Sequence, residues 1–241
     1  MEKPIYPSSN MRITQGYNEG SHKDSFAIDD AGKDTGISKI KSPFTGIIKK
    51  IYQQDANEVW LESIEPVEYP DGTIDYMTIM FAHANDISDL FIGKRISKGE
   101  EFYSEGTKGN ATGNHCHIEC GKGKFTAPGW YKNSNGFYSI NNGKKPEECF
   151  WLDSSINVID NHGYNFINCK ENCNSSSSSI PNYEEEILEP DIPELIPEEP
   201  IDNSNLVPKD EESTGPNLIF TCPKTELYGI YLKEGQNLYT D

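Results

Sequence analysis

The sequence contains no long hydrophobic run. Nowhere in its 241 residues does an apolar stretch approach the roughly 18 to 20 residues that a membrane-spanning helix requires. The first residues, Met1 to Pro7, also lack the apolar segment of a secretory signal. We therefore expect a protein without a membrane partner that is synthesised in the cytoplasm, and that must be carried or released to any site of action outside.

Cysteine is scarce as well. Six cysteines do not make a disulfide framework in a chain of this length. Without a secretory signal, reduced thiols are favoured over bridges, and Cys169 with Cys173 is the pair most worth testing for a bridge.

Positive charge is also in short supply: 21 Lys and Arg residues stand against 39 Asp and Glu, for a formal net charge of -18. This balance excludes nonspecific nucleic-acid binding. Much of the acidity is local, because residues 171–216 hold thirteen Asp or Glu and one Lys. The same segment carries a serine run and repeated Pro-Glu units, a composition that predicts an extended, disordered linker.

Aromatic residues, by contrast, are plentiful, with 13 Tyr and 10 Phe, and together with many Gly, Asn, Thr and Ile they favour β-structure. Short strand-like segments are separated by turn signals. They are Ser25–Ile28, Gly46–Tyr52, Glu58–Glu62, Val67–Tyr69, Tyr76–His83 and His115–Cys120. Asp71 and Gly72 predict a hairpin turn between the fourth and fifth segments, and Asp86–Phe91 is the one predicted helix here. The predicted fold class is mainly β, built on a small antiparallel sheet.

We predict four regions in the chain. Residues 1–125 form the main β-domain, and residues 126–170, rich in aromatic residues and asparagine, form an appendage packed on it. The acidic linker of residues 171–216 follows. Residues 217–241 recover strand character but are too few to fold alone, so this short C-terminal β tip is expected to self-associate, dock on a partner or fold back.

Five histidines are present, and two of them lie on one strand. His115 and His117 flank Cys116, so the side-chain period of two projects both rings from one face, roughly 6 to 7 Å apart. Glu119 continues that face, while Cys116 and Cys120 point to the other side. Taken alone, such a His-x-His strand is only a weak indication of metal binding.

Other residues strengthen the case for a metal. His22 precedes a strand that ends in Asp29, and two histidines with one carboxylate leave a fourth tetrahedral position on zinc open for water, as catalytic zinc sites require. Zinc lowers the pKa of that water to about 7 and polarises a scissile carbonyl. His83, which ends the apolar strand from Tyr76, is available as a base or as a donor to a developing oxyanion.

Five segments occur in the order in which one enzyme family carries them. They are His22 followed by Asp29; Lys41–Ile48, with a Pro and a Gly before a strand; Phe81–His83; the glycine-punctuated Ile96–Gly106; and Gly109–Glu119, which joins a Gly-Thr-Gly type loop to a His-x-His-x-Glu strand. On these motifs, the sequence from His22 to Glu119 resembles the lysostaphin-type (LytM-like) zinc peptidoglycan endopeptidases.

The resemblance implies that zinc is bound by His22, Asp29 and His117, with His83 and His115 lining the cleft as catalytic partners. It also implies cleavage of peptide bonds in peptidoglycan stems or cross-bridges, by a small antiparallel β-domain with a groove between loops. The lack of a signal and the C-terminal tip suit a bacteriophage lysin or a virion-associated wall hydrolase that acts at the bacterial cell wall.

Two departures from the family pattern concern the carboxylate and a neighbouring thiol. The family places its Asp four residues after the first His, whereas Asp29 follows His22 by seven. Asp24 and Asp30 are rival ligands, and Asp29 is preferred because it ends a strand-like segment. Cys116 stands where the family commonly has an apolar residue, and it is expected to face away from the metal as a small buried hydrophobe.

The remaining candidates have simpler interpretations. Glu119 is expected to hydrogen-bond a ligand rather than to bind metal. His162 reads as a turn residue. The core of the appendage is predicted to contain Trp130, Tyr131 and Tyr138. The alternative is that they form a surface on which sugars stack.

Two other functions stay open at this point. One is a fold relative that has lost activity and serves as a structural or regulatory protein; relatives of that kind lose ligands, whereas this sequence keeps a full candidate set. The other is a metal-binding adhesion or tail-assembly module in which residues 217–241 contact a virion partner.

Overall fold

The computed structural model describes residues 1–169 and two further strands, Asn217–Thr221 and Asn237–Thr240. The chain divides into two units, Met1–Glu184 and Glu185–Asp241.

Strands dominate the first unit. In chain order they are β1 (Asn10–Gln15), β2 (Ile28–Asp30), β3 (Lys39–Lys41), β4 (Gly46–Tyr52), β5 (Glu58–Ser63), β6 (Val67–Glu68), β7 (Ile74–Asp75), β8 (Met77–Ala82), β9 (Arg95–Ile96), β10 (Glu101–Ser104), β11 (Cys116–Lys122), β12 (Trp130–Lys132), β13 (Tyr138–Ile140), β14 (Gly143–Lys144), β15 (Trp151–Leu152), β16 (Asn157–Asp160) and β17 (Ile167–Asn168). The helical segments among residues 1–169 are one turn of α-helix, α1 (Pro146–Cys149), and a 3₁₀ turn, Gly20–His22. No helix in the described part of the chain is long and apolar enough to cross a membrane. The prediction of a mainly β fold is confirmed.

In the second unit, β18 (Asn217–Thr221) pairs antiparallel with β19 (Asn237–Thr240). This pair falls within the short C-terminal segment for which strands were predicted.

Nine strands of the first unit form one sheet. Its order is β16-β1-β2-β11-β8-β5-β4-β9, and β14 pairs with β11 off this path. The pairs are antiparallel except β1 with β16. The antiparallel sheet expected from the sequence is thus the framework of the unit.

The alternation of side chains along the central strands gives this sheet two different faces. The core face buries apolar side chains, which include Ile28 of β2, Val59 and Leu61 of β5, Ile79 and Phe81 of β8, and Ile118 of β11. The residues between them define what we call the site face: Asp29 of β2, Glu58 and Trp60 of β5, Met80 and Ala82 of β8, and His117 and Glu119 of β11. Isoleucine, valine and phenylalanine favour such strands because they pack well on a pleated surface.

Two predicted local elements are wrong. β6 forms its hairpin with β7, and the apolar strand β8 pairs instead with β5 and β11, where both of its edges are satisfied. Asp86–Phe91 contains turns and no helix, and the Asp86 side chain accepts the Ser88 N–H at 2.9 Å. In a segment this short, the few helical hydrogen bonds do not offset the free-energy cost of helix nucleation. The hydrogen bond from the Ser88 N–H to the Asp86 side chain forms instead.

Residues 126–169 contribute β14 and β16 to the nine-stranded sheet, and they form the β12–β13 hairpin, whose Trp130 and Ile140 pack against the site face. The division between residues 125 and 126 stays a prediction. The predicted linker, residues 171–216, lies outside the described residues.

The cysteines divide into two kinds. Cys116, Cys120 and Cys149 are free and fully buried, as expected for reduced thiols. Cys169, a member of the pair singled out from the sequence, is disulfide-bonded, so the expectation of a reduced thiol is wrong for this residue. That expectation rested on cellular compartment, which carries no information about whether two particular thiols lie close enough to react.

Truncation of the central strand β8 tests this division of the sheet into faces. Ile79→Ala should lower the free energy of unfolding by about 2–5 kcal/mol, because it leaves a cavity in the core. Ile74→Ala is the matched control, since Ile74 is 57% exposed, and it should cost below about 1 kcal/mol. Urea unfolding followed by fluorescence measures both, and equal losses would contradict the assigned core.

Candidate metal centre

Three donor atoms converge on the site face. Nε2 of His22 lies 3.2 Å from Oδ1 of Asp29, and Nδ1 of His117 lies 3.1 Å from the same oxygen. One ligand atom from each of these residues falls within 4.8 Å of the others. His22 is buried, and Asp29 and His117 are half-buried. The structure thus brings together the three residues that the sequence suggested as metal ligands.

Strand pairing positions two of the three donors. His117 of β11 lies directly opposite Asp29 of β2, where side chains on the same face stand about 4.5–5.5 Å apart at Cβ. The next pair along the strands, Ile28 with Ile118, points into the core. Asp29 therefore reaches the site face for the same reason that Ile28 reaches the core.

His22 reaches the site from a loop. It ends the 3₁₀ turn Gly20–His22, and the Ser25 N–H donates to its carbonyl at 3.0 Å. Asp24, with a φ of 59°, reverses the chain direction between them. This loop takes up the residues that separate His22 from Asp29, so the spacing of seven still leaves the two side chains in contact.

Each imidazole of the cluster has at least one ring nitrogen against an acceptor. In three of them Nδ1 lies against a backbone carbonyl: Gly16 O for His22 at 3.1 Å, Lys108 O for His83 at 2.7 Å and Gly113 O for His115 at 2.8 Å. His117 has acceptors at both nitrogens, since Nε2 lies 3.2 Å from Oε1 of Glu119 and Nδ1 lies 3.1 Å from Oδ1 of Asp29. An acceptor places the N–H on the nitrogen it contacts and leaves the other nitrogen as a lone-pair donor.

Two of the three distances between donor atoms fit a tetrahedral zinc ion. Two ligand atoms that each lie 2.0–2.1 Å from tetrahedral zinc are about 3.3 Å apart. The distances from Oδ1 of Asp29 to the nitrogens of His22 and His117, 3.2 and 3.1 Å, are close to this value. Two imidazoles and one carboxylate leave one coordination position open, as in catalytic zinc sites. The residues present therefore suit zinc.

His115 and His83 border these donors. Nε2 of His115 is 3.6 Å from Oδ2 of Asp29. The ring centre of His83 lies 4.6 Å from that of His115 and 5.8 Å from that of His117. The structure therefore gathers all five residues predicted for the site within one cluster.

The backbone of His83 is held in an unusual conformation. His83 follows β8 with a φ of 84°, which is rare for a residue other than glycine. Its N–H donates to Ala56 O at 2.7 Å, and its own carbonyl accepts the Lys108 N–H at 3.0 Å. Gly106 packs against the same carbonyl so closely that a Cβ at this position would overlap it. These contacts fix the ring of His83 at the edge of the cluster.

The cluster carries opposite charges when no metal is bound. Burial alone would raise the pKa of Asp29, but hydrogen bonds from His117 and His22 hold that pKa well below its usual range. Burial opposes charge on His117 too, but hydrogen bonds to Asp29 and Glu119 raise its pKa to about 10. Burial and the neighbouring charge of His117 lower the pKa of His83 to about 4. His117 thus holds a proton that a metal ion must displace, while His83 is neutral near pH 7.

The rival carboxylates lie elsewhere. Asp24 is exposed, and its carboxylate accepts hydrogen bonds from Ser134 and Asn135. Asp30 is fully buried on the core face, where Oδ1 accepts the Arg12 N–H at 2.7 Å. Neither carboxylate belongs to the donor cluster.

Tyr131 and Tyr138 are 48% and 61% exposed, so the expectation that they form core of the appendage is wrong. Cys116, Glu119 and His162 are placed as expected. Cys116 is fully buried in the core cluster, on the face opposite His117. Glu119 contacts Nε2 of His117 and accepts the Ile140 N–H at 2.6 Å. His162 occupies a turn with a φ of 55° and contacts Glu19.

A cavity of about 150 Å³ adjoins the donor cluster. His83 and His117 form part of its wall, and Trp60, Met80, Trp130 and Tyr138 form much of the rest. Glu58 also lines it, and burial raises the pKa of that carboxyl. The sequence predicts that Glu58 lies on a strand, but it assigns no functional role to this side chain. The alternation Glu58-Val59-Trp60 was the signal that could have assigned it to the site face.

A second cleft, of about 430 Å³, reaches His115. Its lining is mostly polar, with Arg12, Thr14, Asp34, Thr35, Thr107, Thr112 and Asn114. One histidine of the cluster therefore borders a polar cleft, while two others border the aromatic cavity.

No protein-family model matches the chain. A curated relative, Morphogenesis protein 1 of Bacillus phage B103, is 32% identical over 129 residues, which make up 53% of this chain and 34% of the relative. The chain therefore spans about a third of the length of that relative.

Two solved structures share part of the architecture. A zinc-containing peptidase from Vibrio cholerae aligns with a TM-score of 0.38 and 19% identity, over 50% of this chain and 37% of that one. The catalytic domain of lysostaphin from Staphylococcus simulans aligns with a TM-score of 0.36 and 16% identity, over 60% of this chain and 89% of that domain. Likenesses of this extent carry no conclusion about activity.

Substitution of the three candidate aspartates separately tests the donor assignment. Asp29→Asn should weaken zinc binding by more than the roughly 10- to 100-fold that loss of an outer-shell partner costs. Asp24→Asn is the matched control and should bind zinc like the wild type. Competition against a chromogenic chelator measures each affinity, and a larger loss in Asp24→Asn or Asp30→Asn would transfer the ligand role to that residue.

The proton on His117 makes zinc binding dependent on pH. Because the pKa of His117 is raised to about 10, one proton leaves this ring for each ion bound below that pH. The apparent zinc affinity should therefore rise about tenfold per pH unit between about pH 7.5 and 9. Calorimetry in buffers of different ionisation enthalpy counts the released protons, and an affinity unchanged over this range would contradict the assignment.

Proposed function

We propose that this chain is a zinc-dependent endopeptidase that hydrolyses peptide bonds in bacterial peptidoglycan stems or cross-bridges. The observation that carries the proposal is the donor set of His22, Asp29 and His117 beside two further imidazoles. Two histidines and a carboxylate leave a position open on zinc, and catalytic rather than structural sites have that feature. The motifs from His22 to Glu119 that resemble the lysostaphin-type enzymes supply the substrate class.

Some residues of the site would bind the zinc ion, and others orient the imidazole rings that bind it. His22, Asp29 and His117 would hold the ion, while Gly16 O and Glu119 fix two of the rings. Zinc held there would supply a water of pKa about 7 and would polarise the scissile carbonyl.

His83 and His115 would transfer protons and stabilise the negative charge of the developing oxyanion. Each has Nδ1 on a backbone carbonyl, at 2.7 and 2.8 Å, so Nε2 is left as a proton acceptor. A ring that takes a proton from the attacking water becomes a donor to the developing oxyanion or to the leaving amine. The pKa of His83, lowered to about 4, keeps that ring in its accepting form near neutral pH.

The setting we propose is a bacteriophage. The partial similarity to Morphogenesis protein 1 of a Bacillus phage supports this setting. The enzyme would act at the bacterial cell wall, either after release from the host or as part of a virion. Self-association or contact with a virion partner through residues 217–241 is part of the same proposal.

A second candidate is a catalytically inactive relative with a structural or tail-assembly role. The name of the phage relative, a morphogenesis protein, favours it. The complete donor set and the two additional imidazoles argue for activity, because a purely structural role does not require them.

Purified cell walls provide the test. The zinc-loaded protein should reduce their turbidity and release new amino termini, and a chelator should abolish both effects. His117→Ala should lose zinc and activity together. His115→Ala should keep zinc but lose activity by about 10²- to 10⁴-fold, the usual contribution of a proton-transferring side chain.

His162→Ala serves as the control, since His162 lies in a turn and contacts Glu19 rather than the cluster. It should match the wild type in zinc content and rate. If the zinc-loaded wild type releases no new termini from walls of any chemical type, the enzymatic proposal fails and the structural one replaces it.

A further inference from the structure

The aromatic cavity beside the metal centre contains one feature that cleavage chemistry does not use. Glu58 begins β5 and shares the site face with Trp60. Its Oε2 is buried and has no hydrogen-bond partner among the described residues. A buried carboxylate oxygen without a partner is costly, so a ligand that brings a hydrogen-bond donor to Glu58 would be stabilised there.

The nearby lysine does not fill this role. The ammonium of Lys50 lies 3.1 Å from the ring centre of Trp130 and donates to Pro128 O at 2.6 Å. It is not among the residues that line the cavity. Backbone N–H groups of Ala56 and Glu58 hydrogen-bond to the Glu58 carboxyl, so Oε2 is the part of it that no described residue satisfies.

The walls of the cavity suit an aliphatic stem that ends in a cation. Met80 and Ala82 offer apolar surface, and the ring centres of Trp60 and Trp130 lie 5.1 Å apart. Aromatic faces attract cations as well as apolar groups, and Trp130 already holds the ammonium of Lys50 in this way. A volume of about 150 Å³ accommodates one extended side chain.

We propose that this cavity is a subsite for a substrate side chain that carries a primary ammonium on an aliphatic stem, as lysine and other diamino acids do, and that Glu58 binds the ammonium. Peptidoglycan stems contain a diamino acid, so the chemistry matches the substrate class. The inference rests on the proposed endopeptidase function, because the cavity opens beside His83 and His117.

A sugar ring matches the cavity less well. A pyranose needs several polar partners for its hydroxyl groups. Away from the two histidines at the metal side, the lining offers Glu58, Ser139 and Tyr138 in a largely apolar wall. Two tyrosines of the β12–β13 hairpin are exposed, Tyr131 by 48% and Tyr138 by 61%. Tyr138 lines the cavity, and Tyr131 does not.

Binding of small probes tests the subsite without catalysis. Nα-acetyl-L-lysine amide and Nα-acetyl-L-norleucine amide share the aliphatic stem, and only the first carries the ammonium. Titration of the zinc-loaded protein, followed by the fluorescence of the cavity tryptophans, should show lysine binding at least about tenfold more tightly. Equal affinities, or a preference for N-acetylglucosamine over both probes, would overturn the proposal.

Variants of Glu58 test whether its carboxylate causes the preference for lysine. Glu58→Gln keeps the shape but removes the charge, and it should abolish the preference for lysine while leaving norleucine binding unchanged. Glu58→Asp should restore part of the preference. Glu65→Gln is the matched control, because Glu65 is exposed beyond the opposite end of β5, and it should behave like the wild type. A full preference retained by a folded Glu58→Gln variant would refute the role of Glu58.

Cleavage then separates this inference from the proposed function. Synthetic stem peptides with lysine or norleucine at the diamino position should differ about tenfold or more in kcat/KM. Cleavage of both at equal rates would refute the subsite and leave the endopeptidase intact. Binding selective for lysine, with no cleavage of either peptide and no new termini released from cell walls, would support the subsite and refute the endopeptidase.

Discussion

The carboxylate of Asp29 is the interaction on which the site depends. It lies 3.2, 3.1 and 3.6 Å from nitrogens of His22, His117 and His115. These rings come from a loop, a strand and the segment before that strand, and the carboxylate of Asp29 contacts all three. In the proposed site the same carboxylate would serve two states, because it balances the charge of His117 before a metal binds and would supply a ligand oxygen afterwards. A half-buried charge of this kind is tolerated because its partners surround it.

The register of the sheet keeps that carboxylate in place. Ile28 and Ile118 face each other in the core, and the pair beside them, Asp29 with His117, faces the site. A slip of one residue in β2 would put Ile28 in the site and the donor carboxylate in the core. The packing of the apolar core therefore sets the position of the candidate metal centre, although no side chain of that core is a candidate ligand. The same alternation along β5 places Glu58 on the site face, where it lines the cavity.

The sequence allowed the local parts of this arrangement to be predicted and left the distant ones open. The faces of β11 follow from a period of two, and Asp29 was favoured over Asp30 because a strand-like segment ends there. The approach of His22 depends on a loop whose reversal has no periodic pattern. Glu58 could not be assigned to a cavity, because the opposing wall comes from the β12–β13 hairpin, whose Trp130 is far away in the chain. Pairing between distant segments is the information that local patterns lack.

Anomalous diffraction at the zinc absorption edge, on crystals grown with zinc, tests the central claim most directly. The account predicts a single strong peak about 2.0–2.2 Å from Nε2 of His22, Oδ1 of Asp29 and Nδ1 of His117. His83 and His115 should lie outside the coordination distance. A peak bound instead by His83 and His115, by Asp24 or Asp30, or no peak on the site face at all, would contradict it.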